Sequence, residues 1–285
     1  MPPETLRLTG RDGLALHALE WSREGTAMLF LHGFSNSCRV WDDVAPAMAP
    51  YYRVLALDQR GHGDSDHDPE GRYDPESMAG DVEAVLEQLG IGRLVLVGHS
   101  MGGRVSIEFA GLHPERLAGL VLVDIGPEND PRGEIRIRQD NEQQEWTYAS
   151  VERYQRVLTR QYPETASDVL DRMARHWTRR RDDGRFELKL DTRFMAGRDS
   201  GPDAEARRRE QTRQAWDILR KLPCPTLVVR GAASDILSPD TADEMVDEAL
   251  PDGTLEVVPQ AAHSVMLDNP EGFKRALSRF ALGED

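Results

Sequence analysis

The sequence predicts an α/β fold: a mostly parallel, doubly wound sheet with a helical cap inserted between two of its strands. Three observations carry this reading. Short apolar runs of strand length recur along the chain, separated by glycine-containing turns and by segments with helical periodicity. One such run passes directly into Gly98-His99-Ser100-Met101-Gly102 and then into a helical pattern. Between Asp124 and Pro225 the apolar runs stop altogether, and they resume only for the last quarter of the chain.

In chain order, the first apolar run is Ala27 to Leu31, which enters His32-Gly33-Phe34. The second is Val54 to Leu57, followed by the long turn Asp58-Gln59-Arg60-Gly61-His62-Gly63-Asp64-Ser65. Asp74-Pro75-Glu76 reads as an N-cap, a proline in the first turn and an acidic residue near the helix start. That helix places Val82, Val85, Leu86 and Leu89 at helical spacing and closes at Gly90. Leu94 to Val97 and Gly119 to Val123 are two further strands, the second ending at Asp124. Residues 128–220 form the expected cap, leaving 1–127 and 221–285 as the core. Pro225 to Arg230 supplies another strand, running into Gly231-Ala232-Ala233-Ser234-Asp235, and Leu255 to Val258 the last, running towards Ala261-Ala262-His263. Asn269-Pro270-Glu271 opens the final helix.

The G-x-S-x-G pentapeptide between a strand and a helix has the context of a nucleophile elbow, in which a sharp turn projects the serine hydroxyl above the sheet. Glycines two positions either side of Ser100 keep such a turn free of clashes, and the helix N-terminus favours negative charge developing there.

Together with His32-Gly33-Phe34 and the Asp58–Ser65 turn, this pentapeptide resembles the α/β-hydrolase family, and the resemblance spans nearly the whole chain. It implies the α/β-hydrolase fold and a serine nucleophile, Ser100, with His263 as base and an aspartate as acid. Two aspartates stand at strand ends. Asp235, in the glycine-containing loop after the insertion, is preferred, with Asp124 as the alternative. The resemblance also implies an oxyanion hole from the backbone N–H groups of Phe34 and Met101. Bulky cap residues would roof a pocket, and Trp146, Tyr148 and Trp177, with Leu237 and Val265 beside the acid and base, are its candidate lining. The implied activity is hydrolysis of a small or medium carboxylic ester through an acyl-enzyme. The same triad serves carbon–carbon bond hydrolases, lactonases and cofactor-free perhydrolases or haloperoxidases, and some non-catalytic receptors share the fold.

Composition bounds the partners. A net charge of −15 opposes nucleic-acid binding, whose footprint is a basic face. The charge is unevenly spread: residues 128–220 hold 20 basic against 19 acidic side chains, so the remainder carries the acidity. The N-terminus lacks the basic and apolar regions of a signal peptide, and no window approaches the apolar length of a membrane span, so a cytoplasmic protein without membrane contact is expected. Cys38 and Cys224 are isolated, suggesting neither a disulfide framework nor a zinc site, and the acids between Asp64 and Glu70 lack the glycine and distal glutamate of a calcium loop. No cofactor or metal is expected; the partner is a small ester-like molecule, and self-association into a homo-oligomer is compatible with the composition.

Overall fold

A computed structural model of the chain describes residues 2–196 and 203–283; part of the expected cap, 197–202, lies outside the described residues. Strands β1 (Glu4–Thr9), β2 (Ala15–Glu20), β3 (Ala27–Leu31), β4 (Arg53–Leu57), β5 (Leu94–His99), β6 (Leu117–Val123), β10 (Thr226–Gly231) and β11 (Gly253–Val258) form one eight-stranded sheet in the order β1-β2-β4-β3-β5-β6-β10-β11. The pairs from β4 through β11 are parallel, while β1 and β2 form an antiparallel hairpin that joins antiparallel to β4. Strand β5, bearing the pentapeptide, therefore lies at the centre.

The central strands are buried on both faces, which explains their continuous apolar runs: every residue of β3 and β5 is buried. Helices cover both faces. On one side Pro75–Gln88 and Met101–Leu112 pack over Leu29, Leu55, Leu96 and Leu120. On the other, Pro270–Leu282 covers Met28, Phe30, Val97 and Val121 through Phe273 and Leu277. The caps read from sequence form as expected. Asp74 accepts from the Ser77 N–H at 2.8 Å, and Asn269 accepts from the Gly272 N–H at 2.8 Å.

The β1-β2 hairpin escaped the sequence reading, although Asp12-Gly13 is a turn signal. Both residues have positive φ, as tight hairpin turns demand. A second difference lies between β6 and β10. That segment contains the helices Pro131–Glu142, Val151–Gln161, Ser167–His176 and Ala204–Leu219, but also a separate antiparallel sheet of β7 (Thr147–Tyr148), β8 (Thr178–Arg180) and β9 (Phe186–Leu188) in the order β7-β9-β8. These strands are two or three residues long, too short for a period-2 pattern to be visible.

Candidate active site

Ser100 sits between β5 and the helix Met101–Leu112 with φ 52° and ψ −115°, a conformation that costs an L-residue on the order of 1–3 kcal/mol. The surrounding backbone fixes it there. A side chain at Gly98 would place its Cβ 2.4 Å from the Gly102 carbonyl oxygen, and one at Gly102 would lie 2.5 Å from the Leu31 carbonyl oxygen. Gly102 is thus required by the approach of β3 to the turn, and Gly98 by the approach of the first turn of the following helix.

His263 follows β11 and turns its ring between two partners. Its Nε2 lies 3.0 Å from Ser100 Oγ, and its Nδ1 lies 2.8 Å from Asp124 Oδ2. Asp124 is fully buried at the end of β6, itself at φ 52°. Its Oδ1 accepts from the Gly231 N–H at 2.9 Å, and its Oδ2 accepts from the Ser234 hydroxyl at 2.5 Å. Three donors therefore converge on one buried carboxylate, so that its oxygens are hydrogen-bonded by the protein.

Asp235, the acid preferred from sequence, is not on His263. Its carboxylate makes a two-pronged ion pair with Arg136 of the helix Pro131–Glu142, at 2.6 and 2.8 Å. The Arg136 hydrogen bonds hold its carboxyl below the ordinary range, and the side chain is about one-third exposed. The correction has a geometric cause. In the β6–β10 register Val123 pairs with Val229, so Asp124 leaves the sheet level with Arg230, whereas Asp235 lies five residues further along a loop that turns outward. Ser234 occupies the intervening position, and sequence reading passed over it. Its hydroxyl donates to Asp124 and accepts from the N–H groups of Ile236 and Leu237, at 3.1 and 3.3 Å, which secures the loop around the carboxylate.

Phe34 lies in the loop after β3, with Ser35 at φ 58° turning the chain back. A Cβ on Gly33 would come within 2.7 Å of His99 Nδ1 and 3.3 Å of Ser100 Cβ, so this loop is pressed against the elbow. The loop is gripped from below: the Gln59 N–H donates to His32 Nε2 at 3.0 Å, and the Gln59 side-chain amide donates to the His32 carbonyl at 2.7 Å. Met101 is the first residue of its helix, where the N–H groups have no intrahelical acceptor. His99 hydrogen-bonds through Nε2 to the His263 carbonyl at 2.9 Å, and so ties His263 to the elbow. Since a carbonyl only accepts, His99 carries its proton on Nε2; burial lowers its pKa and keeps the ring neutral.

The inserted segment reaches this region at several points. Phe194 packs on Phe34 and His62 and stacks on Tyr73 with ring centroids 4.1 Å apart. Tyr162 accepts from Asn36 at 3.2 Å, and Thr165 donates to Asp268 at 2.7 Å. Of the residues expected to line a pocket, Trp177 lies edge-on to Tyr162 and beside Ser35 to Ser37. Tyr148 is buried against Tyr154, and Trp146 packs partly buried in the same cluster. Leu237 and Val265 are fully buried core residues on opposite faces of the large sheet. No helix among the described residues is long and apolar enough to cross a membrane.

Comparison with known proteins places this geometry in context. An esterase from Mycobacterium tuberculosis is 26% identical over 265 residues, covering 90% of this chain and 83% of its own. A 2-(acetamidomethylene)succinate hydrolase from Mesorhizobium japonicum is 27% identical over 258 residues, covering 90% and 88%. The crystal structure of an alpha/beta hydrolase from Novosphingobium aromaticivorans superposes with a TM-score of 0.80 at 30% identity, over 98% of this chain and 99% of that one. The profile of the alpha/beta hydrolase fold matches residues 26–270. With its fold, strand order and central serine elbow in agreement with that match, this chain belongs to the alpha/beta-hydrolase fold family and is a hydrolase.

Proposed function

We propose that the chain hydrolyses a small or medium carboxylic ester through an acyl-enzyme, with Ser100 as nucleophile, His263 as general base and Asp124 as the acid that orients it. The observation that carries this reading is the continuous path from Ser100 Oγ to His263 Nε2 at 3.0 Å and from His263 Nδ1 to Asp124 at 2.8 Å. A serine hydroxyl is a weak nucleophile until a base accepts its proton. His263 takes that proton as Oγ attacks the ester carbonyl, and Asp124 stabilises the imidazolium and fixes its tautomer. The tetrahedral oxyanion is held by the backbone N–H groups of Phe34 and Met101, each donor being worth roughly 2.7–4 kcal/mol of transition-state stabilisation. Collapse expels the alcohol, which takes the proton from His263. Water, activated by the same base, then releases the acid. The 128–220 segment serves as the cap that roofs this site, as its contacts with Phe34, Asn36 and Asp268 support.

The test is pre-steady-state hydrolysis of p-nitrophenyl esters of graded acyl length. A p-nitrophenol burst followed by steady turnover is expected in the wild type and is lost in Ser100→Ala and His263→Ala. Turnover persisting in Ser100→Ala overturns the assignment, and a wild type inactive on every chain length excludes the ester reading.

A further inference from the structure

Outside the site, the described residues contain one buried cluster of mixed metal-ligating groups: His17 on β2, Cys38 after the Phe34 loop and Asp58 at the end of β4. Their ligand atoms lie within 4.8 Å of one another. His17 Nδ1 is 2.7 Å from Asp58 Oδ2 and 3.8 Å from Cys38 Sγ. Both the carboxylate and the sulfur face the same ring nitrogen, so the three cannot act as a relay of the Ser100 type, which uses two different nitrogens.

The set does suit a cation. Imidazole, thiolate and carboxylate are the ligands that zinc-like transition metals take at about 2.0–2.3 Å in tetrahedral geometry, three from protein and one from water. Such bonds put neighbouring N and S ligands about 3.6 Å apart, close to the 3.8 Å between His17 and Cys38. The His17–Asp58 hydrogen bond at 2.7 Å must open by about 0.7 Å on the same geometry, and the Cys38 sulfur and Asp58 oxygen, which lie within 4.8 Å of one another, must settle about 3.6 Å apart. His17 is the most exposed of the three, with 7% of its side chain reaching solvent against 2% for Asp58.

Occupation of the cluster would act on the neighbouring loop. Asp58 Oδ1 accepts from the Cys38 N–H at 2.6 Å, and the next residue, Gln59, holds His32 through both its N–H and its side chain. Asp58 and Gln59 thus fasten both ends of the loop that presents Phe34. We propose that His17, Cys38 and Asp58 form a binding site for a thiophilic divalent transition metal, and that its occupation inhibits hydrolysis by shifting this loop. Binding converts the Cys38 thiol to thiolate and releases that proton to solvent; the His17 ring keeps one proton, on Nε2. Because the ligands are buried, inhibition sets in slowly.

The experiment is a titration of the purified protein with Co2+ and Zn2+, read in two ways. The first is the thiolate-to-cobalt charge-transfer absorption in the near ultraviolet, which does not depend on activity and separates failure of this site from failure of the ester reading. The second is inhibition of p-nitrophenyl ester turnover after preincubation with Zn2+. The wild type is expected to give one charge-transfer site per chain and time-dependent inhibition. Cys38→Ser, which keeps the backbone donor to Asp58, is expected to lose the band and to need at least about tenfold more Zn2+ for half inhibition, with His17→Gln as an independent second variant. Absence of the band in the wild type, a band without inhibition, or equal Zn2+ inhibition in wild type and both variants overturns the proposal; the last would place the metal at His263.

Discussion

Asp124 and Asp235 stand at the ends of neighbouring parallel strands, and they have opposite surroundings. Asp124 is fully buried, takes hydrogen bonds from Gly231, Ser234 and His263, and has a backbone turned to positive φ. Asp235 is about one-third exposed and is paired with an arginine of the inserted segment. A carboxylate that must orient a base has to be held by donors the protein supplies, because water at an exposed site competes for it. Asp235 ties the insertion to the core; Asp124 is held by donors of the protein itself and faces His263.

Removing the buried carboxylate gives the largest effect. Asp124→Asn is expected to lower kcat about 10⁴-fold on p-nitrophenyl esters, since the wrong imidazole tautomer is then favoured. Adding Ser234→Asp to that variant should recover at least about tenfold, because position 234 already places an oxygen 2.5 Å from the carboxylate it would replace; a double variant no faster than the single one would show that this loop cannot present the acid. Ser234→Ala alone removes one hydrogen bond to a buried charge, worth about 1.5–3 kcal/mol, and should reduce kcat/KM roughly 10- to 100-fold with the pH–rate profile displaced. An unshifted profile with loss of stability alone would make Ser234 purely structural.

The buried side of the site also carries a pH signature. Burial pushes His62 down to about 3 and lowers His32 as well. In the unfolded chain an imidazole titrates near its ordinary value of about 6.5. Below that pH the unfolded chain therefore binds protons that the folded chain does not. The stability from keeping His62 neutral is present at neutral pH and is lost on acidification from about 6.5 down to about 3, at about 1.4 kcal/mol per pH unit. Urea unfolding at pH 7, 6 and 5 should show a slope shallower by close to one proton in His62→Phe; an identical slope would mean that His62 titrates normally in the folded state.

The smallest effect belongs to the exposed partner. Asp235→Asn should leave kcat within about threefold of wild type and cost no more than about 1 kcal/mol in thermal unfolding, as for ion pairs open to solvent.

Much of this was legible in the sequence. The six strands read from apolar runs all occur, because strands buried on both faces leave continuous Val and Leu segments. Strand β1 was harder to see, since its exposed edge dilutes the pattern with Glu4, Arg7 and Thr9. Ser100 and His263, which the fold brings within 3.0 Å of each other, were singled out from their positions after strands β5 and β11. Asp235 was preferred over Asp124 as the partner of His263 because a residue's place in a loop does not reveal which way its carboxylate faces. The β6–β10 register and Arg136, 99 residues away from Asp235, decide that, and neither is a local property. The same holds for His17, Cys38 and Asp58, whose spacing in sequence follows no ligand pattern and which only the β2–β4 pairing and the return of the Phe34 loop bring together.

The most direct test of Asp124 as the acid is kcat/KM for one short-chain p-nitrophenyl ester, measured side by side for Asp124→Asn and Asp235→Asn at the same pH. With Asp124 as the acid, Asp235→Asn is expected to be faster by about 10³-fold or more. A ratio near one, or Asp235→Asn the slower, would contradict it and return the acid to the loop after β10.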